Sequence, residues 1–369
     1  MNNFTSSNSS LEQADYGLNA SLKQVVYASN ASLEQADYSA YLTTLYVSAF
    51  LFTVLSPITV ASNGLLLVAI YKDPFKCFRT PVTIFIISLA VVDLLTGLIV
   101  EPLFAVFYFA CHSKQTLSPG KYFQYLFQMG AFFSVILLSS SFLLVLALTT
   151  TQYIAITFPH KYKMLFTKKR VLVSILGSFV YFVIFGSLQF TKIPKDIYLK
   201  LNLHLHPTVI GFLLIVAHIF LFRSFRKFVK QSNAFRRPSK AHQSIKAAHP
   251  SGHGTKNEAR HQKQLTVVAL FLSALLLLCS IPHIISFYIY LYTEGMSYAF
   301  LLNISIALRV SDMVLFIKVA LDAYIYAWRH PKYRKALKGT LLCHIKHVTM
   351  ERETEQELVA TRSSTKMYN

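Results

Sequence analysis

Six Asp, Glu, Lys or Arg residues lie inside long apolar stretches of this sequence, where an unpaired charge is unstable. They are Asp93, Glu101, Arg309, Asp312, Lys318 and Asp322. A charged side chain at the centre of a bilayer costs roughly 2.5–3.5 kcal/mol unless it is paired. Lys318 and Asp322 are four residues apart and so share one face of a helix, where an ammonium and a carboxylate can pair. The sequence shows no Ser/His/Asp arrangement, metal-ligand spacing or glycine-rich phosphate loop, so we expect neither an enzyme nor a bound metal or cofactor.

The composition places these residues in a membrane protein. Apolar residues make up 54% of the 369 and charged residues only 14%, whereas a soluble domain typically carries about 25% charged residues. Seven continuous apolar runs are long enough to cross a bilayer as helices. They cover residues 41–71, 81–113, 122–160, 171–191, 201–222, 264–293 and 295–328. The predicted fold is all-α: a seven-transmembrane helix bundle over residues 41–328 with a short amphipathic eighth helix after it.

Lysine and arginine are distributed unevenly between the loops, and this predicts the orientation. The odd-numbered loops and the C-terminal segment are basic, and the loop at residues 223–263 alone holds eleven Lys and Arg against one acid. Basic loops stay in the cytoplasm, so we expect a multi-pass plasma-membrane protein with its N-terminus outside. The formal net charge is +20, but the basic residues lie between apolar runs. This argues against nucleic-acid binding and favours contact with membrane lipids.

The segments outside the bundle carry modification motifs. Residues 1–40 contain three copies of an eleven-residue repeat, each opening with an Asn-x-Ser acceptor, and a fourth acceptor precedes them. The asparagines are Asn3, Asn8, Asn19 and Asn30. We expect a disordered, glycosylated extracellular arm, although a duplication that adds only length gives the same pattern. Residues 329–369 form the predicted cytoplasmic helix and tail, where Cys343 is placed for palmitoylation.

Short motifs occur in a fixed order along the spans. They include Ser62-Asn63-Gly64, Ser88-Leu89-Ala90 followed by Asp93, Cys279-Ser280-Ile281-Pro282, and Asp322-Ala323-Tyr324-Ile325-Tyr326. In order and spacing this pattern resembles the rhodopsin-like class of G-protein-coupled receptors. The resemblance implies a cell-surface receptor that binds an extracellular ligand and acts on a heterotrimeric G protein.

The resemblance also implies a polar switch core between the second, third and seventh spans. Its members here are Asn63, Asp93, Ser141, Lys318, Asp322 and Tyr326. In the family the carboxylate at the position of Asp93 binds sodium. Here Lys318 stands among its partners, so we expect the ammonium to lie between Asp93 and Asp322, where sodium would otherwise bind. Such a cluster either makes the receptor insensitive to sodium or is an ion-paired structural element with no switching role.

Several switch residues of the family are replaced. The family's Asp-Arg-Tyr at the foot of the third span reads Thr151-Gln152-Tyr153, which we expect at the G-protein face. In the sixth span Ser280 stands where the family has Trp, and the hinge is expected at Cys279, Ser280 and Pro282 because proline interrupts the helical hydrogen bonds. Ala323 replaces the Pro of the last motif.

These replacements leave two alternatives open. One is a receptor-like protein that is constitutively active or does not signal. The other is a transporter or channel that uses Asp93, Lys318 and Asp322 as an ion relay, for which inverted repeats between the two halves would be expected. The sequence shows no such repeats.

A ligand pocket is expected near the outer ends of the spans. The candidates are Glu101, Ser134, His283, Phe287, Arg309 and Asp312. Ser134 occupies the position at which amine receptors of the family carry Asp, so a monoamine ligand is disfavoured. Glu101 and Asp312 either bind a cationic ligand or basic peptide, or pair with Arg309.

Overall fold

Seven long helices form a single transmembrane bundle, as the apolar runs predicted. The structure is a computed structural model that describes residues 31–72, 80–234, 252–293, 295–329 and 334, and these residues contain no β-strand. The seven long helices of these residues are α1 (Ala31–Lys72), α2 (Pro81–Ser113), α3 (Lys121–Thr157), α4 (Lys168–Ser187), α5 (Lys195–Leu203, His204–Thr208 and Val209–Ala234), α6 (Gly252–Tyr292) and α7 (Tyr298–Arg329). A short helix, Pro159–Leu165, lies between α3 and α4. The predicted eighth helix lies outside the described residues, apart from residue 334.

Helix boundaries depart from the sequence prediction where helices continue beyond their apolar part. α1 begins at Ala31, inside the third repeat copy, so the predicted arm ending at residue 40 is too long by ten residues. Ala, Leu, Glu and Gln in that copy are good helix formers. In the same way α5 runs on to Ala234 and α6 starts at Gly252, so the predicted loop at residues 223–263 is shorter than expected.

The start of α5 was also predicted too late. The helix begins at Lys195, six residues before the predicted span, because its first turns combine polar residues with a buried apolar side. Lys200 pairs with Asp196 at 2.9 Å, while Tyr198 and Leu203 are buried. An apolar run does not detect such an amphipathic turn.

Two π-helical turns change the direction of side chains along the bundle. In α2 the turn spans Thr96–Val100, and in α5 it spans His204–Thr208. Gly97 in the first turn allows close approach of α1, since a Cβ there would lie 2.9 Å from the Cβ of Thr59. Ser56 of α1 donates a 2.8 Å hydrogen bond to the Gly97 carbonyl. The α1–α2 contact is therefore tight where α2 is irregular.

α3 and α7 hold the positions that matter for the site. α3 packs against α2, α4, α5 and α6, and α7 packs against α1, α2 and α6. An aromatic cluster fixes α1, α2 and α7 together: the ring of Phe316 lies 4.9 Å from that of Phe52 and 6.2 Å from that of Phe104. This packing brings the polar residues of α2 and α7 next to one another in the interior.

Candidate functional site

A cluster of charged residues lies in the interior where α2, α3 and α7 meet. Asp93, Lys318 and Asp322 are at most 1% exposed, and Ser141 is 2% exposed. The Lys318 Nζ is 2.6 Å from Asp322 Oδ2 and donates a 3.1 Å hydrogen bond to Ser141 Oγ. The ammonium therefore links the two sides of the bundle through α7 and α3.

Asp93 completes the cluster without direct contact to the ammonium. It interacts electrostatically with Lys318 and Asp322, and its carboxyl group lies within hydrogen-bonding reach of the Asp322 carboxyl group. Within the described chain the ion pair closer than 4 Å joins Lys318 to Asp322 and not to Asp93. The ammonium was predicted to lie between Asp93 and Asp322; it is in direct contact with Asp322 and interacts with Asp93 over a longer distance. Two carboxylates face one ammonium, which leaves a formal charge of about −1 unless a proton is shared.

Tyr326 borders this cluster, and Asn63 on α1 is a further buried residue of the predicted switch core. The Asn63 amide donates a 3.0 Å hydrogen bond to the Thr59 carbonyl of its own helix, and its side-chain oxygen has no partner in the described part of the chain. Tyr326 is 3% exposed, interacts electrostatically with Asp93 and Asp322, and has a similarly unpartnered hydroxyl. The unpartnered polar atoms give the interior several acceptors around a single cation.

At the far end of α3, Gln152 joins α3 to α6 without a charge. Its Oε1 accepts a 2.8 Å hydrogen bond from Gln262 Nε2, and the Thr266 hydroxyl lies 3.3 Å from the same oxygen. Gln152 and Thr151 are fully buried, whereas Tyr153 is half-buried against Phe220 of α5, with ring centroids 5.9 Å apart. We call the Gln152–Gln262–Thr266 contact the amide latch.

The latch partners on α6 were missed by sequence reasoning. Gln262 fell in the segment predicted to be a loop, and Thr266 is an ordinary polar residue at the start of an apolar run. Two further polar contacts between α5 and α6 were also missed: His218 Nδ1 to Ser273 Oγ at 2.7 Å, and Thr208 Oγ1 to Tyr288 Oη at 3.1 Å. The signal that could have found them is a polar residue inside an apolar span, which needs a partner.

A cavity of about 190 Å³ opens between α3, α5, α6 and α7. Five of the predicted pocket residues line it, namely Ser134, His283, Phe287, Arg309 and Asp312. Most of the other lining residues are apolar, and the charged ones, Arg309 and Asp312, both lie on α7.

The acid of this cavity is already engaged. Asp312 Oδ2 lies 3.1 Å from Arg309 Nη1, and Asp312 Oδ1 lies 2.8 Å from His283 Nδ1. Arg309 also donates a 2.5 Å hydrogen bond to the Tyr108 hydroxyl of α2. These contacts form a network across α2, α6 and α7 in which the one carboxylate is neutralised by the guanidinium.

Glu101 lies apart from this cavity, which corrects its placement among the pocket residues. It is fully buried and does not line the cavity; its carboxylate accepts a 3.2 Å hydrogen bond from the Thr59 hydroxyl of α1. The reason is the π-helical turn at Thr96–Val100 immediately before it. An extra residue in one turn rotates everything after it by about 100° relative to a regular helix.

The expected hinge residues lie in an unbroken α6. Pro282 is inside the helix Gly252–Tyr292, Ser280 is 1% exposed and donates to the Leu277 carbonyl at 3.4 Å, and Cys279 is 6% exposed. Proline lacks the backbone N–H that would complete the helical ladder there. The backbone of α6 thus has a weak point between the cavity and the amide latch.

The modification sites predicted from the sequence lie outside the described residues. These are Asn3, Asn8, Asn19, Asn30 and Cys343. Cys111 and Cys279 are buried free thiols. Within the described ranges no group of three or more His, Cys, Asp or Glu side chains is arranged to hold a metal ion.

Comparison with known proteins gives two matches. Residues 62–326 match the family model of the seven-transmembrane receptors of the rhodopsin family. The histamine H2 receptor of Canis lupus familiaris is 34% identical over 124 residues. That match covers 34% of this chain and 32% of the dog receptor, so the aligned part spans about a third of the relative's length.

Proposed function

We propose that this chain, which belongs to the rhodopsin family of seven-transmembrane receptors, transmits binding of an extracellular ligand to a heterotrimeric G protein. The proposal places the N-terminus outside the cell and the amide latch at the cytoplasmic face, in agreement with the basic odd-numbered loops. The ligand would bind in the cavity that Arg309 and Asp312 line.

The observation that supports this best is the sharing of α7 between the cavity and the charged cluster. Leu315 and Phe316 line the cavity, and Lys318 lies within one turn of them on the same helix. A ligand that shifts α7 would therefore move Lys318 relative to Ser141 on α3 and Asp93 on α2. Receptors act by favouring one packing of their helices over another, and such a contact is the element that can be favoured.

The cavity favours a mostly apolar ligand over an amine. The related dog receptor is named for histamine, an amine. In this chain Ser134 lines the cavity, and the carboxylate of Asp312 is already held by Arg309 and His283. An ammonium ligand would have to displace the Arg309 guanidinium. We propose instead a ligand whose apolar body fills the cavity and whose single uncharged or anionic group meets Arg309 or His283.

Because the amide latch carries no charge, we infer that it holds the cytoplasmic ends of α3 and α6 together only weakly. In the rhodopsin-like family, the residue at the position of Gln152 is an arginine that holds the inactive state. Here the contact to α6 is a neutral hydrogen bond, which contributes about 0.5–1.5 kcal/mol. We therefore propose measurable basal activity in the absence of ligand.

Nucleotide exchange on purified G proteins tests this proposal. The receptor in nanodiscs would be assayed with members of each of the four G-protein families, as the natural chain, as Gln262→Ala and as Gln264→Ala. Loss of the latch should raise basal exchange by roughly 2–10-fold, the equivalent of one hydrogen bond. Gln264→Ala removes the same side chain two residues away and should leave exchange unchanged. Failure of the natural chain and of Gln262→Ala to stimulate any of the four would favour the non-signalling alternative.

A further inference from the structure

A second cavity lies at the end of the bundle where α3, α4 and α5 meet. It has a volume of about 240 Å³, enough for a small molecule rather than a single water, and it is bounded by the connection at residues 191–194. The start of α5, the 3₁₀ turn Leu188–Phe190 and Gln128 of α3 line it. Leu199 is the one described residue that lines both this cavity and the cavity of Arg309.

Buried polar groups point to a ligand in this second cavity. Tyr198 is 2% exposed, and its hydroxyl has no hydrogen-bond partner among the described residues. Both side-chain polar atoms of Gln189 are also buried and unpartnered there. The Tyr198 ring stacks on Phe185 with centroids 5.5 Å apart, so packing fixes the hydroxyl in place. Buried polar groups in proteins nearly always have a partner, and here the cavity offers the space for one.

The lining selects for an acceptor with negative charge. Tyr198 and Gln189 offer an O–H and an N–H donor, and the Lys195 side chain also lines the cavity. The described lining residues include no Asp or Glu. Asp196, the residue after Lys195 in the chain, pairs with Lys200 at 2.9 Å. A donor-rich site with a cation and no acid matches an oxyanion, and the Gln189 carbonyl can accept from a hydroxyl or amine beside it.

We propose that this second cavity binds a small oxyanion, a carboxylate or phosphate that carries a neighbouring hydroxyl or amine. The oxyanion comes either from a water-soluble molecule or from a phospholipid headgroup. The second source is sterically open because Phe190, Ile193 and Ile197 are exposed at the same end and present apolar surface to acyl chains. The site is separate from the cavity of Arg309, and its existence does not depend on G-protein coupling.

Thermal unfolding of the detergent-solubilised full chain distinguishes these sources. Cys111 and Cys279 are buried, so a thiol-reactive dye reports when the bundle opens. The probes are glycerol 3-phosphate, which is soluble, and phosphatidylglycerol, which carries a related headgroup on acyl chains. A saturable rise in the unfolding midpoint with glycerol 3-phosphate supports a soluble ligand, and a rise with phosphatidylglycerol alone supports a lipid. No saturable rise with either probe overturns the proposal.

Matched variants locate the binding. Tyr198→Phe should weaken binding of the effective probe about tenfold, the effect of losing one hydrogen bond to a charged group, without lowering the midpoint of the unliganded receptor. Tyr125→Phe, on the exposed side of α3, should bind as the natural chain does. Lys195→Gln should also weaken binding, whereas Lys192→Gln removes the same charge outside the cavity and should not. Equal effects of the two lysine variants, or normal binding by Tyr198→Phe, would contradict a site in this cavity.

Discussion

Removal of the Lys318 ammonium is the most direct test of the charged cluster. Lys318 and Asp322 are each 1% exposed, and their charged atoms are 2.6 Å apart. At an effective dielectric constant of about 20, unit charges at this distance attract by about 6 kcal/mol, an attraction that desolvation of both groups opposes. Lys318→Met leaves Asp322 and Asp93 buried without a cation. Breaking one side of a buried ion pair in this way costs about 3–5 kcal/mol.

The loss should appear as a lower unfolding midpoint. At about 2 °C per kcal/mol for a chain of this size, Lys318→Met should unfold roughly 6–10 °C below the natural receptor. The double variant Lys318→Met/Asp322→Asn removes the directly paired charges and should recover part of the difference, because Asp322 is then neutral while Asp93 remains buried without a cation. Lys121→Met at the exposed start of α3 is the matched control and should stay within about 1 °C.

Sodium titration of the same receptor tests whether the ammonium occupies the place of an ion. The natural chain should show the same midpoint in sodium chloride and in choline chloride at equal ionic strength. Lys318→Asn leaves two carboxylates and an amide, a set of oxygens that suits sodium. With a Kd of about 10 mM, about 300 mM sodium would add about 2 kcal/mol of stability.

Two results would refute this reasoning. If Lys318→Met unfolds at the temperature of the natural chain, the ion pair contributes nothing to the stability of the folded receptor. The short distance between Lys318 and Asp322 would then not indicate a stabilising contact. If Lys318→Asn is stable yet responds identically to sodium and choline, the ammonium does not stand in for an ion. In that case the cluster is a structural ion pair.

Two further substitutions probe the contact between α1 and α2. Gly97→Ala would place a Cβ 2.9 Å from the Cβ of Thr59 and should lower the free energy of unfolding by about 1–3 kcal/mol. The control Gly177→Ala, whose Cβ would have no heavy atom within 4 Å, should raise it by about 0.5–1 kcal/mol. The reverse order of the two variants in circular-dichroism melts would contradict this packing. Thr59→Val removes the hydrogen bond to the buried Glu101 and should lower the free energy of unfolding by about 1–3 kcal/mol. Thr53 is exposed, so the control Thr53→Val should change it by less than about 0.5 kcal/mol. Equal melting temperatures for the two variants would exclude a role for the Glu101 contact.

The sequence predicts the number of helices better than it predicts their ends. Lipid solvation requires about 20 apolar residues per helix, and this requirement alone identifies all seven spans. It says nothing about polar turns that lie beyond the lipid. Lys195 therefore starts a helix in a segment predicted to be a loop, where the Lys200–Asp196 ion pair supports the first turns. Gly252 likewise starts α6 inside the predicted basic loop, and its local sequence does not explain that start.

Within the site, the sequence separation of two residues predicted their relative position when they were four residues apart, but not when they were eight residues apart. The four-residue separation of Lys318 and Asp322 fixes a shared face on any helix. The position of Glu101 relative to Asp93 depends on eight residues of helix, and the π-helical turn at Thr96–Val100 lies between them. The sequence marks of that turn are Pro102, which lacks the backbone N–H needed to continue a regular helix, and Gly97, whose role is evident only once α1 is packed against it.

The charges along α7 explain why its two functional regions can respond together. Arg309 and Asp312 neutralise each other at the cavity, and Lys318 and Asp322 pair in the cluster, so each region is held by contacts within one helix and by single hydrogen bonds to its neighbours. Those bonds run to Tyr108 on α2, to His283 on α6 and to Ser141 on α3. Because both direct ion pairs lie within α7, a displacement of the helix exchanges hydrogen bonds without breaking those pairs, while the distance from Lys318 to Asp93 on α2 changes. The barrier to such a displacement is therefore set by contacts of about 1–3 kcal/mol each, within reach of the binding energy of a small ligand.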